Sequence, residues 1–520
     1  MRAIGELELG SASTLKPYRD YKDSGVEWLG EVPAHWDVRQ LGRVGRFFKG
    51  NGGTKEDDAE HGVPCIRYGD LYTYHRFFIT ESRACVAPET AAATYTPVRY
   101  GDVLFAGSGE TIDEIGKSAV SMIFGPACCG GDVIIFRPSV AVEAGFLGYA
   151  TACRQAACQK ACMGRGITVM HIYASELKYM TVALPPLPEQ AAIVRYLDHE
   201  DRRIQRYIRA KQKLIALLEE KKQALIHEAV TGRIDVRTGK PYPAYKDSGA
   251  EWLGHVPEHW EVRRSKRVFR PRAELARPGD IQLSATQAYG VIAQASYEEK
   301  IGRKVTKILR NLGQRRHVEV DDFVISMRSF QGGLERAWES GCIRSSYIVL
   351  QAATPLVVGY FGHLFKSVGY IAALQSTANF IRDGQDLNFE NFCRVDVPFP
   401  PTEEQQQIAQ ALYRGTDHVG SMIERSRRQI ESLREYRTRL IADVVTGKID
   451  VRVEARGLSD VAPLAAKDDS DDGFYQEGVS EGTGWRHGAE EDGPLADVSD
   501  TGRSHAAVAE PMTGGRRDRW

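Results

Sequence analysis

No uninterrupted apolar run in these 520 residues approaches the ~18 that a membrane span needs. The opening MRAIGELELGSAS also lacks the basic-then-apolar pattern of a secretory signal, so a soluble, cytoplasmic protein is expected. Cysteine is sparse and odd in number, nine in all, with seven between Cys65 and Cys162. Such a set in so long a chain argues against a secreted disulfide framework and for reduced thiols.

Catalytic signatures are equally scarce. FAGSG (Phe105 to Gly109) follows a strand-like run and matches the F-x-G-x-G loop of adenosylmethionine-dependent methyltransferases, but no N-P-P-F or D-P-P-Y tetrapeptide accompanies it to hold a target amine. TIDEIGKS resembles a phosphate-binding loop, yet Thr111 stands where the first glycine must be. No Pro-Asp pair opens a nuclease carboxylate cluster. Cys153, Cys158 and Cys162 put only the last two on one helical face, which reads as small side chains ahead of a zinc site. Neither a catalytic residue nor a metal ligand is assigned, and no cofactor is expected in this chain.

Charge of one sign is missing from the total, −1, but not from the parts. Residues 453–520 hold 15 Asp and Glu against 7 Lys and Arg; removing that −8 leaves residues 1–452 at +7. The acidic end, with DDSDDG and GAEEDG, reads as a disordered tail.

What the chain does have is repetition. YKDSGVEWLGEVPAHWDVR (21–39) returns as YKDSGAEWLGHVPEHWEVR (245–263), 224 residues later. A catalytic site needs its nucleophile once; a frame written twice suits a two-part target. Trp28, Trp36, Trp252 and Trp260 lie in these phrases and read as packing or partner-surface residues ahead of base-stacking ones.

The second duplication is longer. Residues 184–237, LPPLPEQ to TGRIDVR, align without a gap with 399–452, FPPTEEQ to TGKIDVR, at an offset of 215. Each copy opens on a proline pair, places Glu189 or Glu403 and Glu404 near the positive helix end, and closes on Gly232 or Gly447. Ile204, Ile208, Ile215, Leu218 and Leu225 recur at spacings of three and four, or seven, as do Val419, Ile423, Ile430, Leu433 and Leu440. That is a coiled-coil seam in one register twice, and each stripe is best buried by its twin, antiparallel if a two-fold axis relates the halves. The stretches between, 45–183 and 269–397, resemble each other only faintly and carry short β-type runs such as YGDVLFAG and VDDFVISMRS.

This order of a YKDSG-EWLG-VP-HW phrase, a variable domain, a P-P-x-x-EQ helix and TG-(R/K)-IDVR, given twice, resembles the specificity (S) subunit of type I restriction-modification systems over residues 18–452. The resemblance implies an α+β fold: two mixed α/β target-recognition domains separated by two long antiparallel coiled-coil helices, a pseudo-two-fold internal repeat. The expected divisions are an N-terminal extension (1–17), recognition domain 1 (18–183), a central helix (184–237), recognition domain 2 (238–398), a second helix (399–452) and the tail (453–520).

It further implies a non-catalytic DNA-binding subunit, each variable domain reading half of a bipartite, asymmetric double-stranded site. The helices would space the domains and dock methyltransferase (M) subunits, two of them, which carry the restriction (R) subunits. S-adenosylmethionine, ATP and Mg2+ would act in those partners, giving adenine methylation and ATP-dependent cleavage. The alternative is a doubled coiled-coil adaptor whose variable domains bind proteins; the positive charge of residues 1–452 favours DNA.

Candidate DNA contacts are Arg67, Tyr68, Lys117 and Arg165 in the first domain. In the second they are Lys300, Arg303, Lys304, Lys307, Arg310, Arg315 and Arg316, in a run free of acidic residues, with Arg328 and Gln331 in the turn-rich SMRSFQGG. Lys and Arg would bind phosphates, while Arg and Gln also suit base edges.

Overall fold

The computed structural model describes residues 15–53, 55–166, 169–305, 312–326, 329–377 and 388–459. The fold is α+β, organised on two helices, Leu187–Val230 and Thr402–Val445, of 44 residues each. At 1.5 Å per residue each is about 65 Å long. Both are entered through prolines, carry acidic side chains in their first turns, and end before glycines in the left-handed region, Gly232 (φ 73°) and Gly447 (φ 76°).

Ile204, Ile208, Ile215 and Leu218 bury themselves against Val419, Ile423, Ile430 and Leu433 in one cluster. Each such side chain contributes about 2 kcal/mol on burial. Ile193, Tyr196 and Leu197 share a core with Leu440, Ile441, Val444 and Val445, whereas Ile226, Ala229 and Val230 share one with Ile408, Ala409 and Leu412. The start of each helix therefore meets the end of the other, so they run antiparallel.

Two seam expectations change at the helix ends. Leu440 lies in the core of the first domain, and Leu225 is only half-buried while Ile226 takes the interior place. A heptad stripe drifts by ~20° per repeat on a straight helix, so towards the ends it faces a domain instead of the sister helix.

The two variable domains share a topology that their sequences conceal. In the first, strands Gly45–Lys49, Val133–Pro138, Val103–Ala106 and Ser118–Ser121 are neighbours in that order, with Phe78–Ile79 added in parallel. In the second, Phe269–Pro271, Ile348–Ala352, Phe323–Ile325 and Glu335–Arg336 follow the same order and the same antiparallel sense. Asp102 and Asp322, both buried, occupy the same turn: each accepts from an amide three residues earlier, Arg99 or Glu319. Each also pairs with an arginine from a neighbouring segment, Arg137 of the strand Val133–Pro138 at 2.6 Å or Arg272, just after the strand Phe269–Pro271, at 2.7 Å. Burying a carboxylate is costly unless it is paired and hydrogen-bonded, and the two domains meet that requirement in the same way.

Each domain is tied to its helix by a short antiparallel pairing, Asp37–Gln40 with Thr181–Leu184 and Glu261–Arg264 with Asp396–Phe399. The first residues of the expected tail are folded: Glu454–Gly457 form a 3-10 turn whose Ala455 is buried in the first core. Residues 460–520, the rest of the expected disordered tail, lie outside the described residues, as do residues 1–14 of the N-terminal extension.

Candidate nucleic-acid interface and its frame

The repeated phrases form two matching joints. Glu189, in the first turn of its helix, accepts from Tyr18 Oη (2.6 Å) and Trp36 Nε1 (2.9 Å) and meets His35 Nε2 (2.8 Å). Glu404 likewise accepts from Tyr242 and meets His259 Nε2 at 2.8 Å. Burial, then the adjacent carboxylate, raise the pKa of both tyrosines well above the ordinary phenol value, so each stays a donor. Trp36 and Trp260 are fully buried, Trp252 donates to the Asp396 carbonyl at 3.0 Å, and Trp28 remains largely exposed.

The same phrases close the opposite helix ends. Tyr245 Oη donates to the Gly232 carbonyl at 3.2 Å, and Tyr21 Oη to the Gly447 carbonyl at 3.1 Å. Pro257 and Trp260 crowd Gly232 as Pro33 and Trp36 crowd Gly447; a Cβ at either glycine would fall 2.4 or 2.3 Å from a proline Cδ. Besides a positive φ, then, the closeness of the phrase demands glycine there. The second phrase follows its helix directly, but the first reaches an end more than 400 residues away. This link lay beyond sequence reading, because no local pattern connects residue 21 to residue 447.

Three of the first-domain candidates cluster around one short helix and its loops. Arg67 precedes the helix Tyr68–Thr73 and is ion-paired with Asp58; Tyr68 is exposed. From the same helix Tyr72 receives Lys117 Nζ on its carbonyl at 2.8 Å, while its hydroxyl donates to the Ser108 carbonyl at 2.9 Å. Ser108 Oγ meets His171 Nδ1 at 3.0 Å, and Arg165 bridges His171 through backbone hydrogen bonds, its own side chain lying exposed beside Glu176. Tyr173, exposed, stacks on His171. Tyr72, His171 and Tyr173 thus join the predicted residues; the only sequence signal was the glycine-rich composition of the two loops.

FAGSG is accounted for by this architecture. Phe105 is a core residue of its strand, and Ser108–Gly109 pair with Met170–His171. Lys160, buried beneath this loop and donating to the Thr151 carbonyl, has its pKa brought down to about 8 by burial. All nine cysteines are free, Cys158 and Cys162 exposed and Cys153 buried. No cluster of three metal-binding side chains occurs among the described residues.

In the second domain Lys300, Arg303 and Lys304 are exposed at and beyond the end of the helix Gln294–Ile301. Arg316 is half-buried in the strand Arg316–Val318, and Gln331 is exposed on the turn Ser329–Gly332. Arg315 is buried next to Cys342. Lys307, Arg310 and Arg328 lie outside the described residues. Beside this run, buried His317 is held between Asp280 (Nδ1, 2.8 Å) and Glu319 (Nε2, 3.0 Å). Burial pulls the imidazole pKa down, but the two carboxylate bonds outweigh it and hold His317 above its ordinary value. His317 and Arg277 bring Glu319 down to about 2.

Comparison with known proteins bears on this arrangement. No protein-family model matches the chain. A putative type I restriction enzyme MjaX specificity subunit from Methanocaldococcus jannaschii is 22% identical over 432 residues, covering 82% of this chain and 96% of the relative. The chain resembles type I restriction-enzyme specificity subunits. The type I restriction enzyme EcoBI specificity subunit of Escherichia coli is likewise 22% identical, over 280 residues, 51% of this chain and 58% of that one. A chain from a structural study of the complex assembly and conformational transition of the type I R-M system superposes with a TM-score of 0.57 at 16% identity, over 80% of this chain and 98% of that one. The fold with its two long helices is therefore one also seen in that system. Among the described residues, no helix is long and apolar enough to cross a membrane.

Proposed function

We propose that this chain is the non-catalytic specificity subunit of a type I restriction-modification complex. Each variable domain reads one half of a bipartite, asymmetric DNA duplex site. The observation that carries this reading is the frame built twice around dissimilar domains: the Glu189 and Glu404 joints repeat almost bond for bond, while the domains they hold differ in sequence. Duplex DNA has two-fold axes perpendicular to its length. Antiparallel helices related by such an axis would offer the two domains to successive half-sites in equivalent orientation, with unread bases between.

Phosphate binding falls to Lys117 and Arg165 in the first domain, and to Lys300, Arg303, Lys304, Lys307, Arg310 and Arg316 in the second. Arg67, Tyr68, Arg328 and Gln331 are candidates for base or backbone contact. Arg315, being buried, is set aside as a phosphate contact. The helices and the exposed parts of the repeated phrases dock two M subunits, and R subunits join through these. S-adenosylmethionine, ATP and Mg2+ belong to those partners, and the complex works in the cytoplasm.

The test is methylation mapping in a host carrying the chain with its M subunit. A split motif of two dissimilar parts is expected, and purified chain alone should show no methyltransferase, ATPase or nuclease activity. A continuous motif, or turnover by the lone chain that is abolished by a change at Gly107, would contradict the reading. Binding to protein in place of DNA would favour the adaptor.

A further inference from the structure

The backbone correspondence between the two domains identifies an element that composition did not mark. In the first domain Ser121 donates to the Asp102 carbonyl, and Met122 to that of Ile79; in the second, Ala337 donates to Asp322 and Trp338 to Val291. Cys65 bridges Cys128 in parallel, as Gln282 bridges Cys342. Ile79 therefore corresponds to Val291, and Cys65 to Gln282. Between these matched strands the first domain makes the excursion 67–77, which contains Arg67, Tyr68 and Tyr72. In the second domain the corresponding excursion is the tip of the hairpin formed by Leu283–Thr286 and Gly290–Ala293.

That tip, Gln287-Ala288-Tyr289, is exposed and braced. Thr286 Oγ1 accepts from Tyr289 N and donates to the Gly290 carbonyl, both at 3.1 Å. Gly290 has φ 71°, and a Cβ there would lie 2.6 Å from the Arg336 carbonyl and 2.8 Å from Trp338 Nε1. The Gln287 amide rests against Gly332, whose added Cβ would come within 2.7 Å of it. Lys300 Nζ stands 5.2 Å from the centre of the Tyr289 ring, and the Arg336 guanidinium 4.2 Å from that of exposed Trp338. The carboxylates around the tip are engaged within the domain, Glu339 with Ala293 N, Glu298 with Val305 N and Asp321 with Arg336.

We infer that the Gln287–Tyr289 tip is a base-reading element of the second domain, with Gln287 a specificity-determining residue and Tyr289 and Lys300 its backbone-binding support. This rests on the reading of that domain as a half-site reader. A neutral amide on a fixed hairpin offers one donor beside one acceptor, the pattern that matches the major-groove edge of adenine. Lys300, one side chain away, supplies the charge that holds a phosphate.

The test uses the complex of the full chain with its M subunit. Methylated sites are mapped for wild type, Gln287→Ala and Gln287→Glu, with melting temperatures measured alongside. For Gln287→Ala, discrimination at one position of the second half-site should fall about 5- to 150-fold, the range of one bidentate contact. The first half-site should be unchanged, and Gln287→Glu should shift that position towards cytosine. Lys300→Ala should weaken binding evenly across sequences and lower the salt slope by about one. An unaltered second half-site in both Gln287 variants, or equal loss at both halves, overturns the inference. A wild-type motif that is not split overturns the half-site reading itself, and the inference with it.

Discussion

The backbone amide of Asp450 donates to the carbonyl of Lys16 at 2.9 Å, and the amide of Asp235 donates to that of Lys240 at the same distance. Asp450 and Asp235 are equivalent in the helix repeat, as Lys16 and Lys240 are in the phrase repeat. The second link spans five residues and the first closes the chain on itself, so both halves of the frame join as in a ring.

A ring can be opened elsewhere. Joining Arg452 to Lys16 through Thr-Gly, which copies residues 238–239, and cutting between Gly239 and Lys240 should give a chain that folds. Its far-UV circular dichroism should match the parent, and complexes with M subunits should methylate the same motif. A permuted chain that is unfolded, when the unpermuted chain spanning residues 16–452 folds, would show that the Lys16–Asp450 link is incidental.

Both joints should depend on their carboxylate, although the indole bond of Trp36 to Glu189 has no counterpart at Trp260. Glu189→Ala leaves Tyr18, His35 and Trp36 without their acceptor, and Glu404→Ala does the same to Tyr242 and His259. Each change should cost about 3 kcal/mol of stability in denaturant titration. A loss under ~1 kcal/mol at either site would mean that the carboxylate is not what holds the phrase to the helix.

The repeated frame was legible in sequence because its two copies are nearly verbatim, and the periodicity of Ile204 to Leu218 already gave the helix and its buried face. The domains were not. Their common topology rests on backbone pairing and on turns such as those of Asp102 and Asp322, which tolerate divergent side chains. Basic residues could be found but not sorted: Arg315 and Arg316 are adjacent in sequence, yet one is buried beside Cys342 and the other is half-exposed. The closure through Tyr21 and Gly447 depends on contacts across nearly the whole chain.

His317 predicts a pH effect confined to one domain. Its native pKa is raised above the ordinary histidine value, so its stabilising contribution is complete below about pH 6.5 and is lost as pH rises through the native value. The stability difference between wild type and His317→Gln should therefore be larger at pH 6 than at pH 8.5 in denaturant titrations. A difference independent of pH would mean that His317 is neutral between its carboxylates.

If the helices act as a ruler, their length should show in the DNA motif. Four residues inserted after Leu218 add one turn, about 6 Å, and should widen the gap between half-sites by one or two base pairs. Two residues would turn the remaining stripe by about 200° and should abolish assembly. An unchanged gap with full activity after the longer insertion would leave the helices as a docking platform only.

The most direct measurement replaces residues 269–397 with the corresponding domain of a relative and maps methylated sites for the complex with M subunits. One half of the motif should change to that of the donor while the other half and the spacing stay as they were. A change in both halves, or in neither, would contradict the assignment of one half-site to each domain.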